Sequence, residues 1–260
     1  MTPEAQNVWS RRRLVLAGCA AMSAAMSASC ARRTDLAEGE SGRVARISDG
    51  DQLALDTGQT VRLVEIEAPS RRAPYAAEAG QLLRREALSR RAKLWYGGLS
   101  RDRYDRALAH VIVEGDAGGE VWLNGLMVRE GAARVRTWPD NVARARRLYA
   151  LEQEARAARR GLWALDAYPI LDAQGLALAS GFQIAEGVLA SVEADGRYGA
   201  AVFGPAGIVL RGAANLGQPE RGLDLRPGAR LRIRGRVRKQ ETGEVSLDLS
   251  HWAQVEALDG

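Results

Sequence analysis

The chain has 260 residues, 46% hydrophobic and 27% charged, a balance that excludes a disordered chain and allows one large domain or two small ones. Its net charge of +5 comes mostly from Arg and favours an anionic partner such as nucleic acid or a membrane surface, although a GC-rich coding bias toward Arg accounts equally well for the general excess. Cys19 and Cys30 both lie in or at the end of the N-terminal leader, so after processing the two His and at most one Cys fall short of a zinc site of about four Cys/His ligands, and a metal here would be a hard cation, calcium or magnesium, on oxygen ligands.

Residues 10–16 read S-R-R-R-L-V-L, and an Ala-rich apolar run continues to Cys30. A basic stretch before such a run describes an export signal over residues 1–30, and the paired Arg fits the twin-arginine type. The run is too short for a spanning helix of ~20 residues. A disordered basic tail is the alternative. Leu16-Ala17-Gly18-Cys19 has the form of a lipoprotein box, but only Leu14 and Val15 precede it as apolar run. Ser27-Ala28-Ser29-Cys30 follows a full apolar run, so cleavage before Cys30 is favoured, with Cys30 a candidate for lipidation and membrane anchoring. The expected destinations are the periplasm, the membrane surface or the medium. Residues 31–41 read as a polar linker.

Two alternating runs then flank the Asp49-Gly50-Asp51 turn, and a third follows Thr57-Gly58. Alternation marks half-buried strands and D-G marks a hairpin, so residues 42–70 are expected to form a three-stranded meander. Asp49, Asp51, Arg62 and Glu67 gather at its turns and strand ends. Ala76, Ala79, Leu83 and Ala87 recur at helical spacing across 76–90, behind Pro74. Residues 92–96 form a short strand, broken by Gly97 and Gly98. A strand is expected over 107–113, with Tyr104 and Arg106 at its entrance. A helix over 121–130 stops at Gly131, a residue suited to the C-terminal cap. Residues 133–136 form a brief strand, and Trp138 to Asn141 a turn. A long helix over 141–160 carries Leu148, Leu151, Ala155 and Ala158 on one face. Five strands with inserted helices suit a small closed barrel, which leaves no open edge.

The segments I-S-D-G-D at Ile47–Asp51, V-R-L-V-E-I-E-A-P at Val61–Pro69, R-D-R-Y-D-R-A-L-A at Arg101–Ala109 and L-N-G-L-M-V-R-E-G-A-A-R-V at Leu123–Val135, with the closing R-R-G-L-W, occur in one order. In that order and spacing, residues 42–165 resemble the staphylococcal nuclease (thermonuclease) family. The resemblance implies an α+β fold, mainly β, built on a five-stranded OB-type barrel with three helices. It also implies a calcium-dependent nuclease. Asp51 matches the family's first metal carboxylate. Glu67 stands where the family has Asp, and Ala68 stands where a main-chain carbonyl completes the metal ligands. Arg62 and Arg106 match the two phosphate-binding arginines, the catalytic candidates here. Tyr104 matches a ligand-contacting tyrosine, and Trp138 lies near a family aromatic that could stack on a base. The departure is Ser70. The family carries a water-activating Glu there, and Ser has no charge to replace it as base. Glu65 and Glu78 lie nearby in sequence.

Residues 166–180 read as a linker with Pro169 and Gly175. From Phe182 the chain is rich in strands, expected over 185–192, 199–203, 207–211, 231–238, 244–249 and 252–258. This part, residues 181–260, resembles the small second OB-like barrel appended to some exported members of that family. Arg230, Arg232, Arg234, Arg236 and Arg238 alternate with apolar residues or Gly, which points to a basic face for phosphates or to a charged edge strand that resists aggregation. The resulting expectation is an exported calcium nuclease acting on single-stranded DNA or RNA, slowed by Ser70. The competing expectation is a non-catalytic nucleic-acid, phosphate or envelope protein on the same fold.

Overall fold

The computed structural model describes residues 36–116, 118–193, 200–205, 207–211 and 226–258. The expected export signal, Cys19, Cys30 and residues 31–35 lie outside the described residues, whereas residues 37–41 of the expected linker belong to the first strand.

The meander forms as expected, but its first strand begins ahead of Gly42. Strand β1 (Ala37–Asp49) turns through Gly50 and Asp51 into β2 (Gln52–Leu55), which pairs with β3 (Thr60–Leu63). Gly50 is dictated by crowding, because a Cβ there would stand 2.8 Å from Ala68 Cβ and 2.9 Å from Ala79 Cβ. Strand β4 is only Ile66–Glu67. Helix α1 (Ala76–Ala87) buries Ala76, Ala79, Leu82, Leu83 and Ala87. Strands β5 (Arg91–Tyr96) and β6 (Ala107–Glu114) follow. β1 pairs with β5, β5 with β6, and β3 runs parallel to β6, which closes a five-stranded barrel. Strand β7 (Glu120–Trp122) adds to β6 and takes the first turn of the expected second helix, leaving α2 as Leu123–Arg129. Strand β8 (Arg134–Val135) pairs with β4 alone, apart from the barrel sheet.

Helix α3 (Ala145–Ala157) is shorter at both ends than its apolar spacing suggests. At its start, Asn141 is tied by its side chain to the Leu99 carbonyl, and the Arg144 N–H is given to the Glu65 carboxylate. Its inner face carries Leu148, Ala155 and a fully buried Glu152, while Ala158 is exposed. The first core joins Leu53, Val61 and Leu63 of the meander to Leu83, Val111, Leu123 and Leu148.

The stretch expected as a linker holds a short helix, α4 (Ala173–Leu178). The Asp172 side chain caps it by accepting the Gly175 N–H at 2.7 Å, and Leu176 and Ala173 enter a second core with Phe203, Ile233 and Leu247. Six residues are too few to show a helical period, which is why the sequence hid it. The second barrel consists of β9 (Gly181–Glu193), β10 (Ala200–Phe203), β11 (Ile208–Arg211), β12 (Arg230–Lys239) and β13 (Val245–Asp248), with β14 (Val255–Ala257) added to β12. Its cyclic order, β9-β10-β11-β13-β12, with β11 parallel to β13, repeats that of the first barrel, β1-β2-β3-β6-β5. The Gly-Arg-Tyr turn before β10 and Leu225 lie outside the described residues.

The alternating arginines of β12 do not form a free basic face. Arg232 pairs with Glu186 at 2.6 Å and Glu256 at 3.5 Å, Arg238 pairs with Asp248, and Arg234 is fully buried. β12 lies inside the sheet between β9 and β14, and its middle arginines, Arg232 and Arg234, meet acids rather than water. Arg230, Arg236 and Arg238 remain exposed.

Asn124, at the start of α2, ties this helix to the barrel. Its Oδ1 accepts the Val111 N–H at 3.0 Å, and its Nδ2 donates to the carbonyls of Val64 at 2.8 Å and Ala109 at 3.3 Å. Asn124→Ala would leave buried backbone groups unpaired and is expected to cost about 3 kcal/mol in urea denaturation. A loss below about 1 kcal/mol would mean that water or a local shift satisfies them.

Candidate active site

The β1–β2 turn delivers Asp51 to one end of the barrel, where it is almost fully buried. Its Oδ2 receives the Ala68 N–H at 3.2 Å and stands 3.2 Å from Arg62 Nη2. Burial pushes the Asp51 carboxyl up, against the opposing pull of Arg62 and the Ala68 amide. Arg62 arrives by register. It lies across β2 from Gln52, the residue after Asp51, and beside Leu108 of the parallel β6. Leu108 is two residues from Arg106, so parallel pairing brings a guanidinium distant in sequence to the same barrel end.

Arg106 Nη1 donates to Gln52 Oε1 at 2.7 Å. Its Nε donates to Asp102 Oδ2 at 2.8 Å, and its Nη2 lies 2.6 Å from the same oxygen. The other oxygen of Asp102 accepts the N–H groups of Tyr104 and Arg106, so one acid shapes both the loop and the arginine. Burial raises the Asp102 pKa, but these hydrogen bonds outweigh it and hold the carboxyl below its ordinary value. The Arg106 guanidinium is 5.3 Å from the Tyr104 ring, which is 63% exposed and also carries the Arg103 guanidinium at 4.8 Å. Arg62 and Arg106 each keep 22% of their side-chain surface, enough to meet a ligand from solvent.

Glu67 precedes Ala68, which meets Asp51 with its amide N–H rather than its carbonyl, while the Glu67 carboxylate itself turns to the arginines of β8. One Glu67 oxygen takes a hydrogen bond from Arg136, and the other lies 3.9 Å from Arg134 Nη2. That second oxygen is buried and accepts no hydrogen bond. Among the described residues no group of three His, Cys, Asp or Glu side chains could enclose a metal. The carboxylates of Asp51 and Glu67 are each paired with arginine, so a hard cation held by them would need a shell completed by water and substrate oxygens. A closed protein cage is not what these residues would make.

Trp138 is 47% exposed, and the Arg136 guanidinium packs 4.5 Å from its ring. Ser70 is exposed with Arg71 and Arg72 in the loop before α1. Glu65 points elsewhere. It is buried in a left-handed backbone conformation, φ 63°, facing His110 at 3.1 Å and accepting the Arg144 N–H. Glu78 is an exposed residue in the first turn of α1. Sequence reasoning missed Gln52, Asp102, Arg134 and Arg136. The Asp102–Arg106 spacing of four is the one signal that could have revealed a pair. The two arginines around Glu67 depend on the β4–β8 pairing and had no local signal.

Comparison with known proteins adds what the geometry lacks. The family model described as staphylococcal nuclease homologue matches residues 60–165. A micrococcal nuclease of Shigella flexneri is 36% identical over 129 residues, covering 47% of this chain and 72% of that protein. The chain belongs to the staphylococcal nuclease family. The thermonuclease of Staphylococcus hyicus is 25% identical over 130 residues, 46% of this chain and 74% of its own length. That of Staphylococcus intermedius is 27% identical over 134 residues, 48% and 77% respectively. The family-model match stops at residue 165, before α4 and β9, so this staphylococcal nuclease homologue carries its second barrel outside the matched region.

The turn bearing Trp138 is locked to the loop before Tyr104. The Leu99 N–H donates to the Asp140 carbonyl at 3.0 Å, and a Cβ on Gly98 would lie 1.6 Å from that same oxygen. Gly98→Ala is expected to push the turn outward, cost about 1–3 kcal/mol of stability and weaken binding of a short single-stranded oligonucleotide in fluorescence anisotropy. Unchanged affinity would remove Trp138 from the binding surface.

Proposed function

We propose that this protein is an exported calcium-dependent nuclease hydrolysing phosphodiester bonds of single-stranded DNA or RNA. The observation that carries the reading is the convergence of Arg62 and Arg106 on buried Asp51: one guanidinium 3.2 Å from its carboxylate, the other hooked to the adjacent Gln52. Two planar cations at one barrel end match a phosphodiester, which offers two unesterified oxygens to bidentate donors. Family membership and the names of the similar proteins support the same reading.

Asp51 and Glu67 would hold calcium, which when bound polarises the phosphate and lowers the cost of forming hydroxide beside it. Arg62 and Arg106 bind the phosphate and stabilise charge that builds on its oxygens, where each such donor is worth roughly 10²–10³ in rate. Asp102 and Gln52 keep Arg106 aimed, so little side-chain entropy is lost on binding. Tyr104 flanks the phosphate, and Trp138 offers a face to a neighbouring base. Ser70 supplies no base, so the attacking water loses its proton to solvent or hydroxide and turnover is slow. Export through residues 1–30, with lipidation at Cys30, would place this activity in the periplasm, on a membrane or outside the cell. The exposed Ser70-Arg71-Arg72 loop favours the second reading, a phosphate-binding protein without turnover.

Purified protein is expected to cleave single-stranded DNA with calcium and to stop with chelator. Arg62→Ala and Arg106→Ala should each lose roughly 10²-fold or more. Oligonucleotide binding without cleavage, under any divalent cation and pH, would leave the binding reading standing. Ser70→Glu is expected to raise the cleavage rate about 10²-fold, the usual contribution of a positioned base. A fall in rate would show that another carboxylate already serves.

A further inference from the structure

The candidate cation ligand Glu67 stands on a two-residue strand that pairs only with the two residues of β8, Ile66 opposite Val135 and Glu67 opposite Arg134. So short a ladder holds little by itself. The far edge of β8 is closed by side chains. Val135 N–H donates to Glu152 Oε1 at 2.7 Å, and the Val135 carbonyl accepts from Arg234 Nη1 at 3.2 Å. Arg234 Nη1 also bonds Glu152 Oε2 at 2.8 Å. An acid from α3 and an arginine from β12 thus offer β8 an acceptor and a donor, as a third strand would. Arg234 is fully buried, bonded on its other side to Glu256 and packed 4.2 Å from the Tyr149 ring.

The second barrel also touches the side chains of β8. Phe182, on β9, lies 5.0 Å from the Arg134 guanidinium and 5.1 Å from that of Arg136. These two arginines are the partners of Glu67. Tyr168 and Trp138 cover their other sides, at 5.4 Å from Arg134 and 4.5 Å from Arg136. An aromatic face holds a cation best when both are withdrawn from water, and the side chains of Arg134 and Arg136 keep only 17% and 12% of their exposure.

We propose that the second barrel is part of the candidate site, with Arg234 and Phe182 as positioning residues that fix Glu67 through the backbone and the arginines of β8. The inference rests on the nuclease reading of that site. It assigns the second barrel a role besides any contact of its own with nucleic acid: it sets where the Glu67 carboxylate stands. Phe182 is the discriminating position, because it is half-buried at the start of β9 and contacts β8 through its ring.

The test compares the full protein with Phe182→Leu, Phe182→Tyr and Arg234→Met. Calcium binding is read by calorimetry without substrate, and kcat and KM are read on a single-stranded oligonucleotide. Phe182→Leu keeps apolar bulk but loses the π face, and should weaken calcium about tenfold, the worth of two cation–π contacts, with kcat falling and KM changed little. Phe182→Tyr should restore both. Arg234→Met should weaken calcium at least as much, with thermal unfolding used to check that it folds. Wild-type calcium affinity and kcat in Phe182→Leu would overturn the inference and leave the nuclease reading intact. Equal losses in Phe182→Leu and Phe182→Tyr would also overturn it, since a packing role alone would produce them. A wild-type protein that neither binds calcium nor cleaves would overturn the nuclease reading and this inference with it.

Discussion

Arg234 and Glu152 meet at 2.8 Å with neither side chain exposed, and much of the structure hangs on that pair. Taking two charges out of water costs several kcal/mol each, and only close geometry with further hydrogen bonds offsets it. Here the geometry is met. Glu152 also accepts the Val135 N–H, while Arg234 adds Glu256, the Val135 carbonyl and the Tyr149 ring. Burial works against the Arg234 charge, but the surrounding acids outweigh it and raise its pKa. A pair of this kind adds little net stability, yet losing one partner strands the other and costs about 3–5 kcal/mol. It ties α3, β8 and β12 to one another.

Around that pair the two barrels are joined by polar and aromatic contacts rather than by a common apolar core. Each has its own hydrophobic cluster. Between them lie the Tyr149 hydroxyl bonded to the Ala253 carbonyl, and Phe182 packed on Arg134 and Arg136. The described residues from Ala37 onward form one compact unit. The barrels share one strand order but differ in use. The first carries charged groups at its β1–β2 turn and at the entrance to β6. The second turns its acids and arginines into strand-to-strand and barrel-to-barrel pairs, such as Arg232 with Glu186 and Glu256.

The site shows the same division between what is near in sequence and what is near in space. Asp51 and Arg62 are linked by a hairpin, so their proximity follows from turn chemistry and alternation. Arg106 joins them because β3 and β6 are parallel, a pairing that no local pattern announces. Glu67 is held by Arg134 and Arg136 through a four-residue sheet that periodicity cannot reveal. The buried Glu65 and His110 illustrate the converse. Glu65 sits two residues from Glu67, yet a left-handed backbone turns it inward to His110 and the Arg144 amide.

By itself the sequence determined the meander, the buried face of α1 and the turn that presents Asp51. Those features depend on spacing within a few residues, where periodicity and turn residues are direct physical constraints. Its ordered segments also carried the family likeness that the comparisons bear out. Tertiary structure decided the rest. It made a helix of the expected linker, because the second core had room for Leu176. It withdrew the middle of the arginine ladder of β12 from water, burying Arg234 against Glu152, 82 residues away in the chain, and pairing Arg232 with Glu186, while Arg230, Arg236 and Arg238 stay exposed. Burial and long-range pairing are properties of the assembled fold, and an alternating Arg pattern reads the same whether its partner is water, phosphate or Glu152.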